Sequence, residues 1–171
     1  MLDDSDSNSN SNNKVNFEPS GLLSKYENTL NGVHLKYSKP DGSCKPDKKW
    51  KLYHFKYNKN LAKDDNYMNT HTYYSTIPLY DQEYHIIGND SRVVGIKIRD
   101  DTVDEQHAVI QFKYGRKGTR DIYIIDIDSR NGTYINNERL DSRRYYQLFE
   151  KDVIKFGMCK DEFVLLNDEI I

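Results

Sequence analysis

Between Tyr84 and Leu166 the chain passes through a close succession of short apolar runs, each ended by turn-forming residues, and this limits what it can fold into more than any other feature. The runs are Tyr84 to Ile87, Val94 to Ile98, Val109 to Tyr114, Ile122 to Ile127, Thr133 to Ile135, Tyr145 to Leu148, Val153 to Phe156 and Phe163 to Leu166. Between them stand Gly88-Asn89-Asp90, Gly115 to Gly118, Asn131-Gly132 and Gly157, residues that supply turns rather than helix caps. Segments this short and this closely spaced leave no room for the crossover helices of βαβ units, and they predict a sandwich of two antiparallel sheets. Upstream, Tyr53, Phe55 and Tyr57 at two-residue spacing after Trp50 predict a first strand. Tyr73 to Leu79 predicts an edge strand that stops at Pro78, because proline has no N–H for the ladder. The polar stretch Asn58 to Asn69 between them reads as a surface insertion. The fold class is all-β.

A length of 171 residues fits one such domain with an additional segment. Three divisions follow: a polar leader at 1–14, a docking segment at 15–48, and the sandwich at 49–171. Asp3 to Asn13 holds only Asp, Ser and Asn, which bury nothing and cannot offset the entropy of ordering. From Val15 onward Phe17, Leu22, Leu23, Tyr26, Leu30, Val33 and Leu35 bring apolar groups, while Pro19, Gly21 and Gly32 prevent a long helix. Such a stretch either packs on its own domain or waits for a partner to cover it.

Several function classes are disfavoured. A formal net charge of −2 gives no global field for nucleic acid or anionic lipid. Lys113, Arg116, Lys117 and Arg120 do cluster beside Tyr114, and a solvated hairpin is weighed there against a weak or indirect RNA contact. Cys44 and Cys159 form no CxxC pair, which favours a reducing compartment. The start lacks the features of a signal peptide, no apolar run approaches the roughly 20 residues that span a bilayer, and a soluble protein with no membrane contact is expected. His34, His54, His71 and His85 show no metal-ligand spacing, and no GxSxG, Walker A, HExxH or GxGxxG motif occurs. No enzyme activity and no cofactor are expected.

Gly88 after an apolar strand, His107 closing Asp104-Glu105-Gln106-His107, Asp126 before Ser129, Asn131-Gly132-Thr133, Asn136, and Asp152 to Gly157 together resemble the signature of the forkhead-associated (FHA) domain. The resemblance implies a surface of loops at one end of the sandwich that recognises phosphothreonine, and it places Asn89, Arg92, Asp104, Glu105, His107, Arg130, Asn131, Gly132 and Thr133 on or beneath that surface. It also implies that the phosphate-binding arginine of the family falls at Asn89, its serine at Asp104 and the following cation at Glu105. All three depart from the pattern, and Asp104 would set a carboxylate against a phosphate. Asn131 matches. Arg92 and Arg130 are the cations expected to reach the vacated space, and His107 is expected to brace the loop from within.

Phe17, Pro19, Gly21-Leu22-Leu23, Asn28-Thr29, Gly32-Val33, Leu35 to Ser38, Trp50, Leu52-Tyr53 and Arg144-Tyr145-Tyr146 extend the likeness to one subgroup, the Smad nuclear-interacting protein group, which includes the fungal pre-mRNA leakage protein. This similarity implies a nuclear, spliceosome-bound subunit of a retention-and-splicing complex. It implies that the segment of Phe17, Pro19, Leu22 and Leu23 docks on an RRM-containing subunit, that a third, largely disordered subunit completes the complex, and that the FHA surface faces other spliceosomal proteins. The competing reading is a phosphothreonine-binding signalling adaptor.

Overall fold

The computed structural model describes residues 28–63 and 70–170, the last two by their backbone alone. The expectations placed on the leader and on Phe17, Pro19, Leu22 and Leu23 lie outside the described residues. In chain order the strands are β1 (Thr29–Leu30), β2 (Val33–His34), β3 (Lys48–Tyr57), β4 (His71–Pro78), β5 (Tyr84–Gly88), β6 (Ile96–Lys97), β7 (Ala108–Tyr114), β8 (Arg120–Asp126), β9 (Thr133–Ile135), β10 (Glu138–Arg139), β11 (Tyr145–Gln147), β12 (Val153–Phe156) and β13 (Glu162–Ile170). They form a six-stranded sheet ordered β10-β9-β12-β13-β3-β4, a five-stranded sheet ordered β11-β8-β7-β5-β6, and the small hairpin β1-β2. Apart from the parallel pair β5 and β6, neighbouring strands are antiparallel.

The core between the two large sheets follows from alternation. On β3 it is Trp50, Leu52 and His54 that are buried, while Tyr53, Phe55 and Tyr57, whose spacing announces the strand, lie half-buried on the other face. Leu52 and Leu165 from the six-stranded sheet meet Ile87, Ile110, Phe112, Ile122 and Ile124 from the five-stranded one, with Phe156 and Phe163 packed edge to face. β4 is an edge, and its last residue is Pro78.

The five-stranded sheet is dry on both faces, which explains why β7 and β8 read as continuous apolar runs rather than as alternating ones. Its outer face presents Ile86, Val109 and Ile125, and these pack with Tyr37 and Ile127 in a second cluster joined by Leu35 and Tyr145. Residues 28–47 are therefore laid against the domain's own sheet. The Cys44 N–H donates to the Phe112 carbonyl at 3.2 Å, and Ser43 bridges Lys113. The Tyr37 hydroxyl donates to Gln111 Oε1 at 2.7 Å and lies 2.8 Å from the Tyr145 hydroxyl. Of the two fates open to the apolar stretch, this part packs on its own domain.

Candidate functional site

One end of the sandwich is built by the loop from Gly88 to His107 and the loop from Ile127 to Gly132. Gly88 sets their spacing, since a Cβ there would stand 2.1 Å from the Glu105 carbonyl oxygen, backbone that cannot yield cheaply. With the side chain gone, Asn89 and Asp90 donate their N–H groups to the carbonyls of Asp104 and Glu105 at 3.0 and 3.3 Å. The two halves of the first loop are thereby zipped together.

His107 ties the first loop to the second. It is fully buried, its Nδ1 accepts from the Asp104 N–H at 3.0 Å, and its Nε2 lies 2.8 Å from the Gly132 carbonyl. Because Nδ1 accepts a backbone N–H, the proton of a neutral ring sits on Nε2 and is donated to Gly132. Burial pushes the imidazole below the ordinary histidine range, and the Gly132 hydrogen bond and the Asp126 and Asp104 charges only partly oppose this.

Asp126 organises the second loop. Its carboxylate accepts from the Ser129 N–H at 3.0 Å, the Ser129 hydroxyl, the Thr133 hydroxyl at 2.7 Å and the Ser142 hydroxyl at 3.2 Å. Burial works against this charge, but the hydrogen bonds outweigh it and hold the group below the usual carboxylate range. Thr133 is fully buried beneath the surface and serves Asp126. Gly132, at φ 84°, makes a turn that a β-carbon would strain. The Asn131 side chain donates from Nδ2 to the Thr102 carbonyl at 2.9 Å.

On this frame Asn89, Asp104, Glu105 and Arg130 line one cavity of about 470 Å3. The Arg130 Nε donates to Asp104 Oδ1 at 2.7 Å, and the Arg130 N–H donates to Asp104 Oδ2 at 2.9 Å. Partial burial disfavours the Asp104 charge, yet the Arg130 bonds prevail and keep it below the ordinary range. Asn89 turns its amide inward to the Val103 carbonyl at 2.6 Å. Glu105 is exposed. Arg92 is not brought to this place: its guanidinium makes two hydrogen bonds to Asp90, at 3.0 and 2.9 Å, and it lines a separate cavity with Leu30, Val93 and Val94. Of the two cations expected near the vacated space, only Arg130 is there, and it is paired.

Three further residues line the cavity that the sequence does not assign to it: Lys36, Gln106 and Asp128. Gln106 is buried and clamps the N-terminal strap to the site, accepting from the Lys36 N–H and donating to the His34 carbonyl, both at 2.9 Å. Asp128 is held by Arg143 at 2.7 Å. The Gln106 contacts join positions some 70 residues apart, which no local pattern can foretell. Among the described residues no group of three His, Cys, Asp or Glu side chains converges as a metal site.

Comparison with known proteins agrees with this geometry. Residues 85–157 match the FHA domain. The chain is 37% identical over 163 residues to mouse Smad nuclear-interacting protein 1, covering 91% of this chain and 39% of that one, so it spans about two fifths of that relative's length. It is 28% identical over 169 residues to pre-mRNA leakage protein 1 of Saccharomyces cerevisiae, covering 85% of this chain and 80% of that one. The solved structure of the yeast Pml1 splicing factor, described with its integration into the RES complex, superposes with a TM-score of 0.65 at 25% identity, over 80% of this chain and 99% of that one. The sandwich with its two tied loops thus carries an FHA domain, and the chain is homologous to Smad nuclear-interacting protein 1 and yeast Pml1.

Proposed function

We propose that this chain is a non-catalytic, spliceosome-associated FHA subunit of a nuclear pre-mRNA retention-and-splicing complex. The observation that carries the reading is the extent of the likeness: it runs over 91% of the chain, well outside the FHA match at 85–157, as a shared assembly role requires and a shared module does not. In this reading the segment holding Phe17, Pro19, Leu22 and Leu23 docks on an RRM-containing subunit, and a third, largely disordered subunit completes the assembly.

The FHA loop end then faces another protein of the spliceosome, and phosphate is not what it chiefly reads. A phosphothreonine would have to separate Arg130 from Asp104. An exposed ion pair contributes only about 0–1 kcal/mol, so breaking it is cheap. The carboxylate left behind is the larger obstacle, since like charges about 4 Å apart repel by roughly 4 kcal/mol at an effective dielectric near 20. With Asn89 bonded to its own loop and Glu105 where a cation would stand, only the displaced Arg130 and Lys36 at the cavity rim are left to offset that repulsion. This disfavours the signalling adaptor, which depends on its phosphate site.

The test is pull-down and calorimetry of the full chain with the RRM-containing subunit. Phe17→Ala with Leu22→Ala abolishes binding, while Arg130→Ala leaves it unchanged. Undiminished affinity in the first variant overturns the docking assignment.

A further inference from the structure

A cluster of cations lies away from the FHA loop end. On the open side of the sandwich, where the edge strands β4 and β6 face each other, lies a cavity of about 650 Å3. Lys56, Lys59, Lys97, Arg99 and Lys160 stand around it, all of them exposed, and they come from β3, the turn after it, β6, the residues following β6, and the β12–β13 loop. The two acids at the cavity are already hydrogen-bonded to neighbours other than these cations. Asp100 accepts from the Thr102 N–H at 2.8 Å and from its hydroxyl, and Asp161 accepts from the Tyr57 N–H at 3.0 Å and faces His54 Nε2 at 2.9 Å. None of the five cations has an ion pair among the described residues. Five cations against two carboxylates around one cavity among the described residues, in a chain whose net charge is −2, are a feature that folding alone does not require.

Aromatic faces lie among these cations. Lys56 Nζ sits 3.7 Å from the centre of the Tyr74 ring, and Lys160 Nζ 4.7 Å from that of Tyr57. Tyr74 is 58% exposed and Met158 71% exposed, so flat and soft apolar surface borders the charges. A single phosphate group wants donors converging on one point. Cations spread around a wide cleft, interleaved with exposed rings, suit a flexible polyanion that carries its own flat groups.

We propose that this cleft binds single-stranded RNA, with the cations following the phosphodiester backbone and a base taking the place of the Lys56 ammonium on the Tyr74 ring. The site is separate from the hairpin of Lys113, Arg116 and Lys117. There Lys113 lies between the Tyr123 and Tyr145 rings at 4.6 and 4.2 Å, and Arg120 donates to the Lys45 carbonyl at 3.0 Å. The proposal does not depend on the docking of the N-terminal segment, because the chain binds here alone.

The experiment is fluorescence anisotropy of the full chain with a labelled oligouridylate of about ten nucleotides over a salt series. Lys97→Glu with Arg99→Glu weakens binding by roughly tenfold or more, and it makes the slope of log affinity against log salt shallower by about 1.4, since each phosphate contact on a single strand contributes about 0.7. Tyr74→Ala costs roughly tenfold with the slope retained. Lys113→Glu with Lys117→Glu changes neither quantity. Tyr74, Lys97, Arg99 and Lys117 are exposed and Lys113 is half-buried, and unchanged thermal melting shows that each variant is folded. The proposal is overturned if the native chain shows no salt-dependent RNA binding, or if the hairpin variant loses as much as the cleft variant. It is also overturned if a phosphothreonine peptide displaces the RNA and itself needs Lys97 and Arg99, which makes the cleft a peptide site.

Discussion

Arg130 closes on Asp104 across 26 residues of sequence, its Nε 2.7 Å from one carboxylate oxygen and its backbone N–H 2.9 Å from the other. Asp104 is the position at which the FHA resemblance implies a serine, and Arg130 is a cation that lines the cavity at the vacated phosphate place. The substitution therefore does more than remove a hydroxyl donor. It supplies a resident anion that holds the arginine.

Restoring the family's residues at the two mapped positions should release that arginine. The native chain is expected to bind phosphothreonine peptides and their unphosphorylated twins alike, and Asn89→Arg with Asp104→Ser to prefer the phosphorylated forms by roughly tenfold or more. Hydrogen bonds to charged groups contribute about 1.5–3 kcal/mol each, so one or two new ones suffice for that ratio. Isothermal calorimetry reads it directly, and a native chain that already discriminates tenfold defeats the argument.

The buried histidines make stability depend on pH in a definite window. Burial holds His107 and His85 below the ordinary range, opposed in part by their hydrogen bonds to the carbonyls of Gly132 and Leu79. Below about pH 6.5 the unfolded chain takes up protons that the folded chain refuses. Stability is full above that pH, falls as pH drops through it by up to roughly 1.4 kcal/mol per unit for each histidine, and levels off below the folded values. Asp126 and Asp104 carry depressed carboxylates, whose contribution is lost only below about pH 4. Urea unfolding at pH 7, 6 and 5 should show falling midpoints, and His85→Gln with His107→Gln should flatten the trend. Equal midpoints for the native chain would refute the assignment.

Much of the sandwich is legible because β5, β7, β8, β9, β12 and β13 announce themselves by local pattern. What escaped the reading falls into two physical kinds. Two short hairpins were signalled but overlooked: Asn31-Gly32 joins β1 to β2 and Asn136-Asn137 joins β9 to β10, all four residues at positive φ as a tight two-residue turn requires. Gly32, which forbids a long helix, also closes the first of these turns. The other kind carries no local signal. Arg130 with Asp104 and Gln106 with Lys36 and His34 are meetings set by topology, and Arg92, as near in sequence as Arg130, is turned away by its bonds to Asp90. The basic cleft is of this second kind too, since its cations are scattered from Lys56 to Lys160.

Gly88 tests whether loop spacing or loop chemistry governs the FHA end. A methyl at this position would meet the Glu105 carbonyl oxygen at 2.1 Å and that of Asp104 at 2.8 Å, so the zipped loop must part. Gly88→Ala is expected to destabilise the fold by about 1–3 kcal/mol, the usual cost of overpacking. The shift should appear in urea unfolding with amide signals displaced mainly from Asn89 to His107. Gly118, at φ 72° with open space around it, is the control: strain there has no clash to add, and Gly118→Asn should cost far less.

Tyr37 decides whether residues 28–47 belong to the domain. Its ring is only 4% exposed and lies against Tyr84 at 5.5 Å, and its hydroxyl joins Gln111 and Tyr145 in one network whose Gln111 amide continues to Ser43 and the Phe112 carbonyl, both at 2.7 Å. Two substitutions separate the parts played by ring and hydroxyl. Tyr37→Phe keeps the packing and orphans the buried Gln111 Oε1, a loss of about 1–3 kcal/mol. Tyr37→Ala also opens a cavity over Ile86, Val109 and Ile125, a loss of about 3–5 kcal/mol. Hydrogen exchange then tells a structural strap from a loosely attached one. If the strap is integral, the Cys44 amide exchanges only by global unfolding in the native chain, and in Tyr37→Ala it speeds up together with the amides of β7. If Cys44 speeds up while β7 stays protected, residues 28–47 are a separable cover, and the outer face of the five-stranded sheet is stable without them.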